Sequence, residues 1–140
     1  MSLRESPGRA LRFCGATVLV FLLLATESVA AVRVYYFHRT VRCDDCLLIE
    51  QLSAETLRKT FSQELTDGRL EWRPINLDSP ENIHFVFDYD LNANELVVVR
   101  GEASRPLFDK LPEVWNLVQQ PDQFRSMLVN LVREHLAQPN

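Results

Sequence analysis

Two cysteines separated by two residues, Cys43-Asp44-Asp45-Cys46, are the side chains in this chain best suited to chemistry. At that spacing two sulfurs can close a small ring, so the pair can hold or release two electrons by switching between disulfide and dithiol. Its surroundings decide whether that switch is useful. The stretch VRVYYF, residues 32 to 37, is rich in β-branched and aromatic side chains and reads as a largely buried strand. From Asp44 onward Leu48, Ile49, Leu52, Leu57, Phe61 and Leu65 recur at mostly helical intervals. The pair therefore falls where a strand gives way to an amphipathic helix, the setting in which C-x-x-C reads as a redox motif.

The chemistry follows from the helix N-terminus. Unpaired N–H groups and the macrodipole favour a thiolate there, and the thiolate is the form that attacks a disulfide. Cys43 is the expected nucleophile, and Cys46, one turn into the helix and more buried, is the expected resolving thiol. Asp44 and Asp45 oppose ionisation of a neighbouring thiol, while His38, Arg39 and Arg42 lie just upstream and can offset them. Two other uses remain open. A disulfide closing so short a loop gives only roughly 2 kcal/mol by loop-closure entropy, which makes a purely structural staple inefficient. Cys43, Cys46 and His38, with an aspartate, are also a mixed ligand set that a soft metal would accept.

Composition narrows the field. The 140 residues are 46% apolar and 24% charged, enough for one ordinary domain and unlike collagen-like or disordered chains. A formal net charge of −4 disfavours a general nucleic-acid surface. Only four glycines are present, Gly8, Gly15, Gly68 and Gly101, and no flavin or nicotinamide phosphate loop can be assembled from them, so no cofactor is expected.

The first thirty residues have the anatomy of a secretory signal peptide. Arg4, Arg9 and Arg12 precede an apolar run from Phe13 to Ala25, and Ser28 and Ala30 precede a cut before Ala31. The run is about thirteen residues, short of the roughly twenty that span a bilayer, so no stable membrane span is expected after cleavage; an uncleaved anchor is the alternative. Cys14 leaves with this segment. Residues 31–140 then form one domain in a periplasmic or otherwise extracytoplasmic setting, where a disulfide persists.

Along that domain the expected order is β-α-β-α-β-β-α-α, an α/β fold with a mixed central sheet flanked by helices. The first helix runs from Asp44 to about Leu65, with Ser53 capping or bending it midway, and Asp67-Gly68 closes it. A second strand covers residues 70–77, with Pro74 marking an edge or bulge. Ser79-Pro80 starts a short helix, residues 95–100 form a third strand, and residues 103–108 return antiparallel. A helical turn from Pro112 carries Leu111, Val114, Trp115 and Val118 on one face, and the last helix starts near Pro121. His84 and His135 read as surface residues of helices, and Trp72 and Trp115 as fillers of core or groove. Asp78, Glu81, Asp88 and Asp90 read as a solvated acidic edge.

The domain resembles thioredoxin-like proteins over nearly its whole length. More narrowly it is similar to a small exported bacterial family, some of whose members are labelled as a subunit of a nitrophenyl-compound nitroreductase. The resemblance is carried by Tyr36-Phe37-His38, Thr40, Arg42-Cys43 and Cys46 with Ile49-Glu50, then Asn76-Leu77-Asp78, Pro80 to Phe85, Leu111 and Trp115. It implies a thioredoxin-like fold and an exported thiol-disulfide oxidoreductase or electron relay acting on a protein thiol or disulfide partner. The alternative is a noncatalytic accessory subunit or a soft-metal module. Working thioredoxins place a cis-proline before the strand facing the cysteines, where it shapes the substrate groove and keeps metals away. This chain has Ala93-Asn94-Glu95-Leu96 there, and Arg42 where a tryptophan usually precedes the first cysteine.

Overall fold

A computed structural model describes residues 32–101 and 106–138. The expected signal segment, Cys14 and the start of the fourth strand lie outside these residues.

Four strands, Val32–His38 (β1), Leu70–Asn76 (β2), Glu95–Arg100 (β3) and Leu107–Lys110 (β4), form one sheet in the order β2-β1-β3-β4. β2 runs parallel to β1, whereas β3 runs antiparallel to both β1 and β4. β1 is central and buried along its whole length, which is why its sequence is apolar almost without interruption. Pro74 lies on the edge strand β2, where a missing N–H costs least.

Alternation along the strands divides the core in two. Val32, Val34 and Tyr36 of β1, with Leu96 and Val98 of β3, pack against the long helices Asp44–Thr60 (α1) and Pro121–Ala137 (α5) through Ile49, Leu57, Phe124, Leu128 and Val132. Tyr35, Phe37, Val97 and Val99 face the other way and meet Leu77, Tyr89 and Leu91. That second face is covered by the single-turn helix His84–Asp88 (α3) through Phe85 and Val86, and a 3-10 turn at Pro80–Asn82 leads into it. Ser79 stands at the expected cap position, but its side chain makes no capping hydrogen bond.

Some local expectations are corrected. The first helical stretch breaks at Phe61, leaving Ser62–Thr66 (α2) as a separate turn. Ser53 does not interrupt α1: its hydroxyl donates to the Ile49 carbonyl at 2.7 Å inside the helix, whereas Phe61 leaves helical geometry with its ring in the core. Gly68 then closes the segment at φ +79°, a left-handed conformation suited to glycine. β4, at Leu107–Lys110, extends past the expected end at Phe108. There Lys110 Nζ reaches the Asp90 carbonyl at 2.6 Å and Glu95 at 3.3 Å. His135 is not a surface residue. It is 6% exposed, and its Nε2 lies 2.8 Å from Asp109 Oδ2, tying α5 to β4.

Tyr36 brings a hydroxyl into the α1 core with no hydrogen-bond partner among the described residues, and burial pushes its pKa up to about 12. Because the folded pKa exceeds the unfolded one, its contribution to stability is full below about pH 10 and is lost as pH rises towards 12. Tyr36→Phe removes the unpaired hydroxyl and keeps the ring. The expected result is a gain of about 1 kcal/mol at neutral pH and a shallower loss of stability above pH 10, measured by urea unfolding. A loss of stability at neutral pH would show that the hydroxyl is bonded after all.

Candidate redox site

β1 ends at His38, and five residues later Cys43 caps the N-terminus of α1 in extended backbone geometry. Cys43 and Cys46 are joined as a disulfide with Cα atoms 5.0 Å apart. The capping contact comes from sulfur: Cys43 Sγ accepts the Cys46 backbone N–H at 3.1 Å. A side-chain acceptor that satisfies an orphan donor of the first turn is ordinary N-cap chemistry, performed here by a disulfide sulfur. Cys43 is exposed and Cys46 only 4% exposed, so an incoming molecule meets Cys43 first.

The connection from β1 is held by Asp78. Its carboxylate accepts the Thr40 N–H at 2.7 Å and pairs with Arg39 at 2.9 Å, and these contacts, the Thr40 N–H foremost, lower its pKa. Asn76 Nδ2 also donates to Thr40 Oγ1 at 3.0 Å. Asp78 is thus more than part of a solvated edge, since it fixes the loop that delivers the cysteines.

The residues expected to tune the thiolate are drawn elsewhere. Arg42 forms an ion pair with Glu50 of α1, and its Nε donates to His38 Nδ1 at 3.1 Å. Asp45 accepts from Gln119 Nε2 at 2.9 Å, which ties the first turn of α1 to the segment before α5. Asp44 remains exposed at the helix start, where an acidic residue suits the dipole. Among the described residues no group of three or more His, Cys, Asp or Glu side chains is gathered that could hold a metal, so His38 does not join the cysteines in a ligand set. No helix among them is long and apolar enough to cross a membrane.

Asn94 was not singled out from the residue types. It lies just before β3, within the stretch that stands in place of the family proline, and its Nδ2 donates to Cys46 Sγ at 3.4 Å. Trp115, in the short helix Val114–Leu117 (α4), donates from its indole Nε1 to the Asn94 carbonyl at 3.3 Å. Trp115 is 37% exposed and so leaves the apolar face shared by Leu111, Val114 and Val118. With Asn94, Ala93, Pro112 and Lys110 it lines a cleft of about 370 Å³.

A parallel βαβ pair followed by an antiparallel hairpin in the order β2-β1-β3-β4, with C-x-x-C opening the first helix, is the topology of a thioredoxin-like fold. Neither a protein-family model nor a curated protein matches the sequence. Among solved structures, the chain is similar to a malarial protein with a TM-score of 0.48 and 17% identity, covering 76% of this chain and 99% of that one. A thioredoxin from Thermus thermophilus matches with a TM-score of 0.45 and 16% identity, covering 72% and 73% respectively. Chloroplastic thioredoxin z matches with a TM-score of 0.38 and 16% identity, covering 69% and 80%.

The Asn94 amide donates to sulfur, so it should favour the thiolate of Cys46 once the disulfide is reduced. In a Cys43→Ser background, Asn94→Ala should slow alkylation of Cys46 at neutral pH by about two- to fivefold, the worth of one modest hydrogen bond. An unchanged rate would remove Asn94 from the redox machinery.

Proposed function

We propose that this domain is an exported thiol-disulfide oxidoreductase or electron relay that exchanges its Cys43–Cys46 disulfide with a protein partner. The observation that carries the reading is the exposed Cys43 sulfur capping α1 with Cys46 buried behind it. In the reducing direction the Cys43 thiolate attacks a partner disulfide, forms a mixed disulfide and expels one partner thiolate. Cys46 gives its proton to solvent and attacks Cys43 Sγ, which closes the Cys43–Cys46 bond and releases the second partner thiolate. Two electrons pass from the domain to its partner; the oxidising direction is the reverse.

Export to the periplasm is part of the proposal and is supported by the N-terminal arginines, apolar run and small residues before Ala31. Asp44 and Asp45 beside the sulfurs, with Arg42 engaged by Glu50, favour a potential nearer the roughly −270 mV of thioredoxin than the −120 mV of a strong periplasmic oxidant. The nitroreductase label borne by some members of the resembled family supplies no step here.

Three measurements test the reading together. Insulin reduction with dithiothreitol should be accelerated by the parent and lost in both Cys43→Ser and Cys46→Ser. Equilibration with glutathione should place the potential below about −180 mV. Cys46→Ser, expressed with its export segment, should trap the natural partner through Cys43. A parent inactive on insulin, together with an empty trap, would overturn the proposal.

A further inference from the structure

The sheet face turned away from α1 and α5 carries a cavity of about 520 Å³ that disulfide exchange does not use. Arg33, on the central strand, lies on its wall beside Tyr35, Phe85 and Tyr89, and His84 and Asp88 border it from α3. Arg33 is only 9% exposed. One Nη2 hydrogen bond, to the Gly101 carbonyl at 2.6 Å, occupies it, while Nε is buried with no partner among the described residues. Among the described residues no carboxylate pairs with it. Tyr35, Phe85 and Tyr89 line the same cavity as Arg33.

A largely buried guanidinium with no counter-ion among the described residues leaves a charge that an anion entering the cavity would offset. The planar fork of arginine matches the two oxygens of a carboxylate. The other walls ask for a flat apolar body. Tyr35, Phe85 and Tyr89 have centroids 5.8 to 6.0 Å apart, and Phe85 and Tyr89 are nearly parallel at 15°. Asp88 at the border penalises further negative charge, so a monoanion is favoured over a polyanion. The volume lies within the usual range for small-ligand sites.

We infer that this cavity binds a small aromatic monocarboxylate, with its carboxylate against Arg33 and its ring among Tyr35, Phe85 and Tyr89. The site is on the opposite sheet face from the cysteine helix and stands independently of the redox reading. Titration of the full chain with 2-naphthoate, followed by calorimetry and by amide chemical shifts, tests it. Saturable binding is expected, with shifts centred on Arg33, Phe85 and Tyr89. The neutral 2-naphthamide and the ringless acetate should each bind at least about tenfold more weakly. Arg33→Met should cost a similar factor, and Asp88→Asn, which removes an exposed like charge, should tighten binding about twofold. Equal affinity for naphthoate and naphthamide in the parent would overturn the inference whether or not the Arg33 variant folds. So would shifts confined to other surfaces, or no saturable binding by about 1 mM.

Discussion

The capping contact between the Cys46 N–H and the Cys43 sulfur is the interaction on which the rest of the site depends. It makes one atom serve two ends. As an N-cap acceptor the sulfur satisfies a donor that the first turn of α1 leaves open, and as a reactive group it gains the field of a helix N-terminus. Everything around it holds this arrangement in place. β1 is packed on both faces, so His38 leaves the sheet at a fixed point; Asp78 then pins Arg39 and Thr40, and the chain reaches Cys43 with few choices. On the far side Ile49 and Leu57 anchor α1 to β1 and α5, which sets the direction in which the helix points its free N–H groups.

Charge around the sulfurs is distributed by partner choice rather than by proximity in sequence. Arg42 is adjacent to Cys43 but turns to Glu50 and His38, and Asp45 is adjacent to Cys46 but accepts from Gln119. The neutral groups of Cys46 N–H and Asn94 Nδ2 are therefore the ones with hydrogen bonds to sulfur. A site built from neutral donors and the helix dipole, with two carboxylates nearby, has less bias towards the dithiolate than one ringed by cations. That distinction underlies the low potential proposed for it.

Much of the architecture was legible in the residues because it rests on local patterns. The apolar run of β1, the helical spacing after Asp44, Asp67-Gly68 and the edge position of Pro74 each follow from short-range rules. The cysteine pair was legible for the same reason: its strand-to-helix setting is contiguous. Contacts across long sequence separation were not. Asn94 reaches Cys46 from 48 residues away, and His135 meets Asp109 across 26. Nothing in the type or spacing of an asparagine before a strand, or a histidine late in a helix, announces such a partner. Phe61 ended α1 because its ring is held in the core, a tertiary effect that overrode a helical pattern continuing to Leu65. The burial of Arg33 follows from strand alternation, which puts it on the face of Tyr35 and Phe37, yet its lack of a counter-ion emerged only from the packed structure.

The central claim concerns acidity at one sulfur, so the pH dependence of alkylation of reduced Cys43, measured in the Cys46→Ala variant, tests it most directly. The account predicts a half-maximal rate well below pH 8.5, the value of an ordinary cysteine thiol. A midpoint at or above that value, with slow alkylation at neutral pH, would contradict it and leave the Cys43–Cys46 bond a structural staple.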